Sequence, residues 1–137
     1  MNRIDFQEIA EIRLREAKAL LASGFPEGAY YLAGYAVECA LKSCIAKRTR
    51  EHDFPDKKLV NDSHSHDLAK LLQLAELKID LDTAMQGNAA MQSSWDAIQD
   101  WSETSRYERR NTQEAADLLQ AVEDQAGGLL PWIKLRW

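Results

Sequence analysis

Proline and glycine are scarce, three and six in 137 residues, and no alternating run of branched residues lies between them. That leaves little to punctuate strands and excludes a sheet protein. No apolar run approaches the ~18 residues of a spanning helix, and no charged-then-apolar leader opens the sequence. A soluble, cytoplasmic protein without membrane contact is the expectation. The two cysteines, Cys39 and Cys44, share one predicted helix and project about 140° apart at 100° per residue. They cannot bridge each other and read as small buried apolar groups in a reducing compartment. Net charge is −5, so charge alone does not recommend nucleic acid, although a local basic patch stays open. A CxxC pair, a Gly-rich phosphate loop and a hydrolase-like nucleophile are all missing. His52, His64, His66 and Asp67 lie near one another, but no Cys or His follows His66. A metal site needs three or four converging ligands, so no metal and no other cofactor is expected.

What is present is helix. In Gly28–Lys47 the apolar residues Ala29, Leu32, Ala33, Ala36, Val37, Ala40, Leu41, Cys44 and Ile45 recur every three to four positions. No proline interrupts them, and strong helix formers fill the gaps. A helix over Ala29–Lys47 would run roughly 28 Å. Its apolar contact extends around so much of the circumference that it belongs inside a bundle. Before it, Asn2 or Asp5 caps a first helix reaching Ala22, with Phe6, Ile9, Ala10, Arg13, Ala17, Leu20 and Leu21 inward. Ser23-Gly24-Phe25-Pro26 ends that helix and starts the next, which makes an antiparallel hairpin.

After the central helix, Arg48–Ser63 reads as the longest loop. Ser65 then caps a helix over Asp67–Leu77, whose inner face is Leu68, Leu71, Leu72 and Ala75. Lys78–Ala90 is ambiguous, with a turn of helix at Thr83–Gln86 capped by Asp82 and a break at Gly87-Asn88. Met91, Trp95, Ile98 and Trp101 share one face of a fourth helix to Ser102, and Glu103–Arg110 reads as irregular. Asn111 with Glu114 forms a capping box for a fifth helix carrying Ala115, Leu118, Leu119, Val122 and Ala126. Gly127-Gly128 and Pro131 break or kink the continuation of that helix through Leu129, Leu130 and Ile133. Trp132 and Trp137 are candidates to cover a subunit contact. The fold class is therefore all-α, an up-and-down bundle of four to five helices in a single domain over 1–137.

Charge is uneven. Lys42–Lys58 and the cluster Arg106, Arg109 and Arg110 are basic, whereas Glu76–Glu103 and Glu114–Asp124 are acidic. If the loop after the central helix folds beside Tyr107, one basic end with an aromatic neighbour results, suited to a phosphate or an RNA strand. Glu38 and Lys42 interrupt the apolar helix at i and i+4 and can pair. A half-buried carboxylate also seeks a partner from elsewhere, for which Arg106 is the candidate. His66 is expected to hydrogen-bond locally at its helix start.

Three segments together resemble the HEPN domains of prokaryotes: Ala36-Val37-Glu38-Cys39-Ala40-Leu41-Lys42, Ser65-His66-Asp67-Leu68 and Arg106-Tyr107. The resemblance runs from about Ala17 to Asp124 and implies a bundle of four or five helices, often dimeric. It implies kinship with the helical domain of kanamycin nucleotidyltransferase. It also implies a setting in which members are encoded beside a minimal nucleotidyltransferase, in toxin–antitoxin or defence systems. The ribonuclease branch of the family uses an Arg and a His with roughly four to six residues between them, the His moving a proton while Arg steadies the phosphate. Here no His follows Arg106, and Arg48 and His52 are one residue too close. The expectation is a non-catalytic, homodimeric binding module that engages a nucleotide, RNA or a nucleotidyltransferase partner. Its ligand residues would be Glu38, Lys42, His66, Arg106, Tyr107 and Arg109. The alternative is a metal-independent RNA endonuclease with His66 or Glu38 as an atypical acid or base.

Overall fold

The computed structural model describes residues 1–51 and 56–137, with Arg50 and Glu51 as backbone only, and every regular element among them is helical. Helix α1, Arg3–Ala22, starts at a capping box in which Asn2 and Asp5 satisfy each other's backbone N–H groups. Its far end closes in a Schellman turn. Gly24 takes φ +86°, the Phe25 N–H donates to Leu20 O at 2.9 Å and the Gly24 N–H to Leu21 O at 3.2 Å. Pro26 opens α2, Pro26–Glu51, where its missing N–H costs nothing. The chain doubles back at once: Gly28 meets Leu20 at one end, and Phe6 lies beside Ile45 and Ala46 at the other. That is the antiparallel hairpin expected.

Helix α2 is the centre of the molecule. Every described side chain from Pro26 to Thr49 is partly or fully buried, and α2 packs against the helices before and after it on several sides. Ala29, Ala33, Ala36, Val37, Ala40 and Leu41 are fully buried. Each large aliphatic side chain so buried contributes about 1.5–3 kcal/mol. The small residues set the closeness of packing: an added Cβ at Gly34 would collide with the Trp101 ring. Trp101 also stacks on Tyr31 with centroids 6.0 Å apart.

The middle of the chain is more helical than its composition suggests. The expected loop over Arg48–Ser63 instead carries the last turn of α2 and a short helix α3, Lys57–Asp62, capped by Asp56. His52 lies outside the described residues. Helix α4 covers Leu68–Leu74, with Asp67 rather than Ser65 as its N-cap. Helix α5 fills Lys78–Gln86, longer than the single turn expected. Asn88 then caps α6, Ala89–Gln99, and a 3-10 turn occupies Glu103–Tyr107.

Helix α7, Thr112–Glu123, has the Asn111/Glu114 capping box. Helix α8, Leu129–Lys134, begins after Gly127-Gly128 and holds Pro131 in its first turn, where the lost N–H is no loss. Trp132 is buried in the chain's own core with Arg136 stacked over it at 3.9 Å, and Trp137 packs against that core. Trp132 is therefore not the exposed ring that its position suggested, while Trp137 is half-buried. Among the described residues, the exposed Phe and Tyr rings are Phe25 and Tyr107.

Candidate functional site

Glu38 lies in the middle of α2 and is 1% exposed. A carboxylate this deep needs donors, and Oε1 takes two: Lys42 Nζ at 3.0 Å, one turn along, and His66 Nδ1 at 2.8 Å. The turn before α4 sets His66 in place. The Asp67 N–H donates to Ser65 Oγ at 3.0 Å, and the Asp67 carboxylate accepts from the Lys70 N–H at 3.1 Å. The other imidazole nitrogen, Nε2, is 3.1 Å from Glu103 Oε2 in the 3-10 turn. Each ring nitrogen therefore faces a carboxylate oxygen. Three separate segments are tied together through one ring.

His66 and Glu103 open onto a cleft of about 380 Å³ between the start of α4 and the end of α6, also lined by Asp67, Asp100, Trp101 and Ser102. Among the described residues, Glu38 Oε2 and Trp101 Nε1 are buried with no hydrogen-bond partner. A larger groove of about 650 Å³ runs between α1 and α7, beside Lys18, Leu119 and Glu123, and contains none of the six candidate ligand residues.

Those six divide into two groups. Glu38, Lys42 and His66 meet; Arg106, Tyr107 and Arg109 lie elsewhere. The expected Arg106–Glu38 pair is not formed. In the 3-10 turn it is Glu103 that reaches His66, and Arg106, a turn of about 6 Å further on, is exposed and lies over the Tyr107 ring at 4.9 Å. Arg109 pairs with Glu27 at 3.1 Å. Arg110 is held by Glu108 and Glu114 and lies 4.2 Å over Tyr30.

The single basic end also fails to assemble. Arg48 binds Leu74 O and Glu76 near the far end of α2, about 27 Å along the axis from Tyr30 at 1.5 Å per residue. Glu103 is the site residue that sequence reasoning missed. It lies in an acidic stretch without apolar periodicity, and only the tertiary fold points it at His66. The cysteines are free and buried, and burial pushes both thiols up to about 11. Among the described residues, no three His, Cys, Asp or Glu side chains converge on a metal-sized point. No helix among them is long and apolar enough to cross a membrane.

The family model of the HEPN domain matches residues 5–126. The chain belongs to the HEPN domain family. The matched span contains the whole Glu38–His66–Glu103 cluster and stops before α8. No curated protein matches the chain, and no solved structure does. Within this HEPN domain, the Ala-Val-Glu and Ser-His-Asp segments are the two that meet, through His66 and Glu38.

Proposed function

We propose that this HEPN domain is a non-catalytic binding module that recognises a partner protein at the His66 cleft and acts as a homodimer. A nucleotidyltransferase is the partner that the family likeness suggests. One observation carries the reading: the candidate residues that converge do so beside carboxylates, while Arg109 is held in an ion pair and Arg106 lies apart over the Tyr107 ring. Asp67, Asp100 and Glu103 line the cleft, whereas Arg48, Arg109 and Arg110 are engaged in ion pairs at the two ends of α2. An acidic cleft repels a phosphodiester and attracts a cation, which favours a protein surface over a nucleotide or an RNA strand.

The test is co-expression with the neighbouring reading frame, then co-purification, with light scattering for the homodimer. Retention of the partner by wild type and its loss in His66→Ala supports the reading. A chain that retains nothing, or that binds RNA or nucleotide tightly in calorimetry, breaks it. The second reading, a metal-independent RNA endonuclease, rests on the 2.8 Å His66–Glu38 contact, the geometry by which a carboxylate orients a general base. It requires RNA cleavage in EDTA that His66→Ala and Glu38→Gln abolish. Intact RNA at micromolar protein ends it.

A further inference from the structure

We infer that a basic patch formed by Arg3, Lys47 and Arg136, where the chain leaves α8 beside α1 and α2, takes an acidic segment of the partner protein. This rests on the binding-module reading and gives the partner a second contact, opposite in charge to the His66 cleft.

The three cations come from distant parts of the chain and gather on one short stretch of backbone. Arg3 Nη2 donates to Trp137 O at 2.5 Å, and Lys47 Nζ donates to Arg136 O at 3.4 Å. Arg136 Nη1 donates back to Trp132 O at 2.9 Å. All three charges bear on the same buried thiol, where they favour the Cys44 thiolate against the burial that disfavours it. A carbonyl oxygen satisfies an N–H but carries no net charge, so these bonds fix the cations without neutralising them. Among the described residues none of the three forms an ion pair, whereas neighbouring Lys134 does, with Glu11. An α-carboxylate at Trp137 would answer one of the three charges and leave two. Like charges held together repel one another, and an anion relieves the repulsion. Arg3 and Arg136 also lie outside the matched residues 5–126, so the patch is built by segments flanking the shared domain.

The surroundings favour carboxylates on a protein over a nucleic-acid strand. Base stacking needs an open ring face, and here Arg136 lies 3.9 Å over Trp132 and Lys134 5.8 Å over Trp137. Leu135, between two cations in the sequence, is 84% exposed. An acidic peptide with an apolar residue covers such a side chain, and a phosphodiester backbone leaves it wet. A long polyanion also meets the field of a chain whose net charge is −5, while a short acidic segment reaches the patch alone. The guanidinium forks of Arg3 and Arg136 suit carboxylates in paired N–H···O geometry.

The probe is a tetra-glutamate peptide titrated into the full chain, monitored through the indole N–H signals of the four tryptophans. The expected result is a saturable shift at Trp132 and Trp137, with the buried Trp95 and Trp101 unmoved. Arg3→Gln and Arg136→Gln should each weaken the affinity by about tenfold, one charge-assisted contact apiece. Arg3 stands at the start of α1, so its variant keeps the test alive if the loss of Arg136 from the Trp132 ring disturbs folding. Arg15→Gln, exposed and roughly 18 Å further along α1, should leave binding unchanged. Equal binding by all three variants overturns the inference, as does an oligo-uridine strand that shifts Trp137 where the peptide does not. If the peptide has no effect and the partner still co-purifies, the acidic contact falls and the module reading stands. If the peptide titrates at Trp132 and Trp137 while no partner is retained, the module reading falls and the patch stands.

Discussion

Two described glutamates of α2, Glu27 and Glu38, each meet a cation, and they behave as different chemical objects. Glu27, in its first turn, pairs with an Arg109 side chain that is 96% exposed. Its own backbone N–H and that guanidinium hold its carboxyl below the usual range, at a place still open to water. Glu38 is shut in the middle and shares one oxygen between Lys42 and His66. The first pair trades hydration for a screened attraction and contributes little. The second has no hydration to fall back on, so each donor removed leaves a buried charge uncompensated. The contrast depends on how closed the middle of α2 is.

Opening that middle should have the largest effect. Ala36→Asp puts a carboxylate where nothing is exposed, with an expected loss of about 4 kcal/mol or more; a folded variant with an unchanged melting temperature would place α2 on the surface. Gly34→Ala drives a methyl into the Trp101 ring and should cost about 3 kcal/mol, at the high end for overpacking. A shifted Trp101 fluorescence spectrum would accompany it. Glu38→Ala strips His66 and Lys42 of their shared acceptor. Chemical denaturation should read a loss of about 2 kcal/mol, moderated because both donors reach solvent. That loss should persist at high salt, since a buried contact is weakly screened.

The thiols test closure without mutation. Cys39 and Cys44 titrate near 11 because burial disfavours the thiolate, and the thiolate is the species that iodoacetamide attacks. Native protein at pH 8 should resist labelling and react completely once denatured. A thiol whose folded value is raised favours the unfolded, ionised chain once pH passes the unfolded thiol's titration. Its contribution to stability is therefore complete below that titration and is lost as pH climbs toward 11. Rapid native labelling at pH 8 would contradict the burial. The smallest effect is at the other end of the comparison: Arg109→Ala should leave the denaturation midpoint within measurement error, and a clear drop there would erase the distinction between the two pairs.

Much of this architecture was readable from residue order because it is local. A cap at Asn2, the Asn111/Glu114 capping box, the Gly24 reversal and the stripe of α2 each depend on neighbours within a turn or two. The Glu38–Lys42 pair was legible for the same reason, being one helical turn apart. Helix α3 was not, since Lys57–Asp62 is six residues, mostly polar, with Leu59 as the side chain packed on the core. A charge-rich segment with so little apolar periodicity looks like a loop until a surface is supplied for it to lie on. Trp132 misled in the opposite way, because closeness to the terminus says nothing about burial once α8 folds back onto the core.

The amino-acid order alone determined an all-helical chain, a central helix with two charged interruptions, and the family to which those segments point. These features arise from propensity, capping and a 3.6-residue period, which act over one or two turns. Which charge answers Glu38 was decided only by the tertiary structure. His66 arrives from 28 residues away and Glu103 from a different turn of chain, while Arg106 is carried past. Long-range approach is set by how helices pack, and a row of letters does not contain the distance between them.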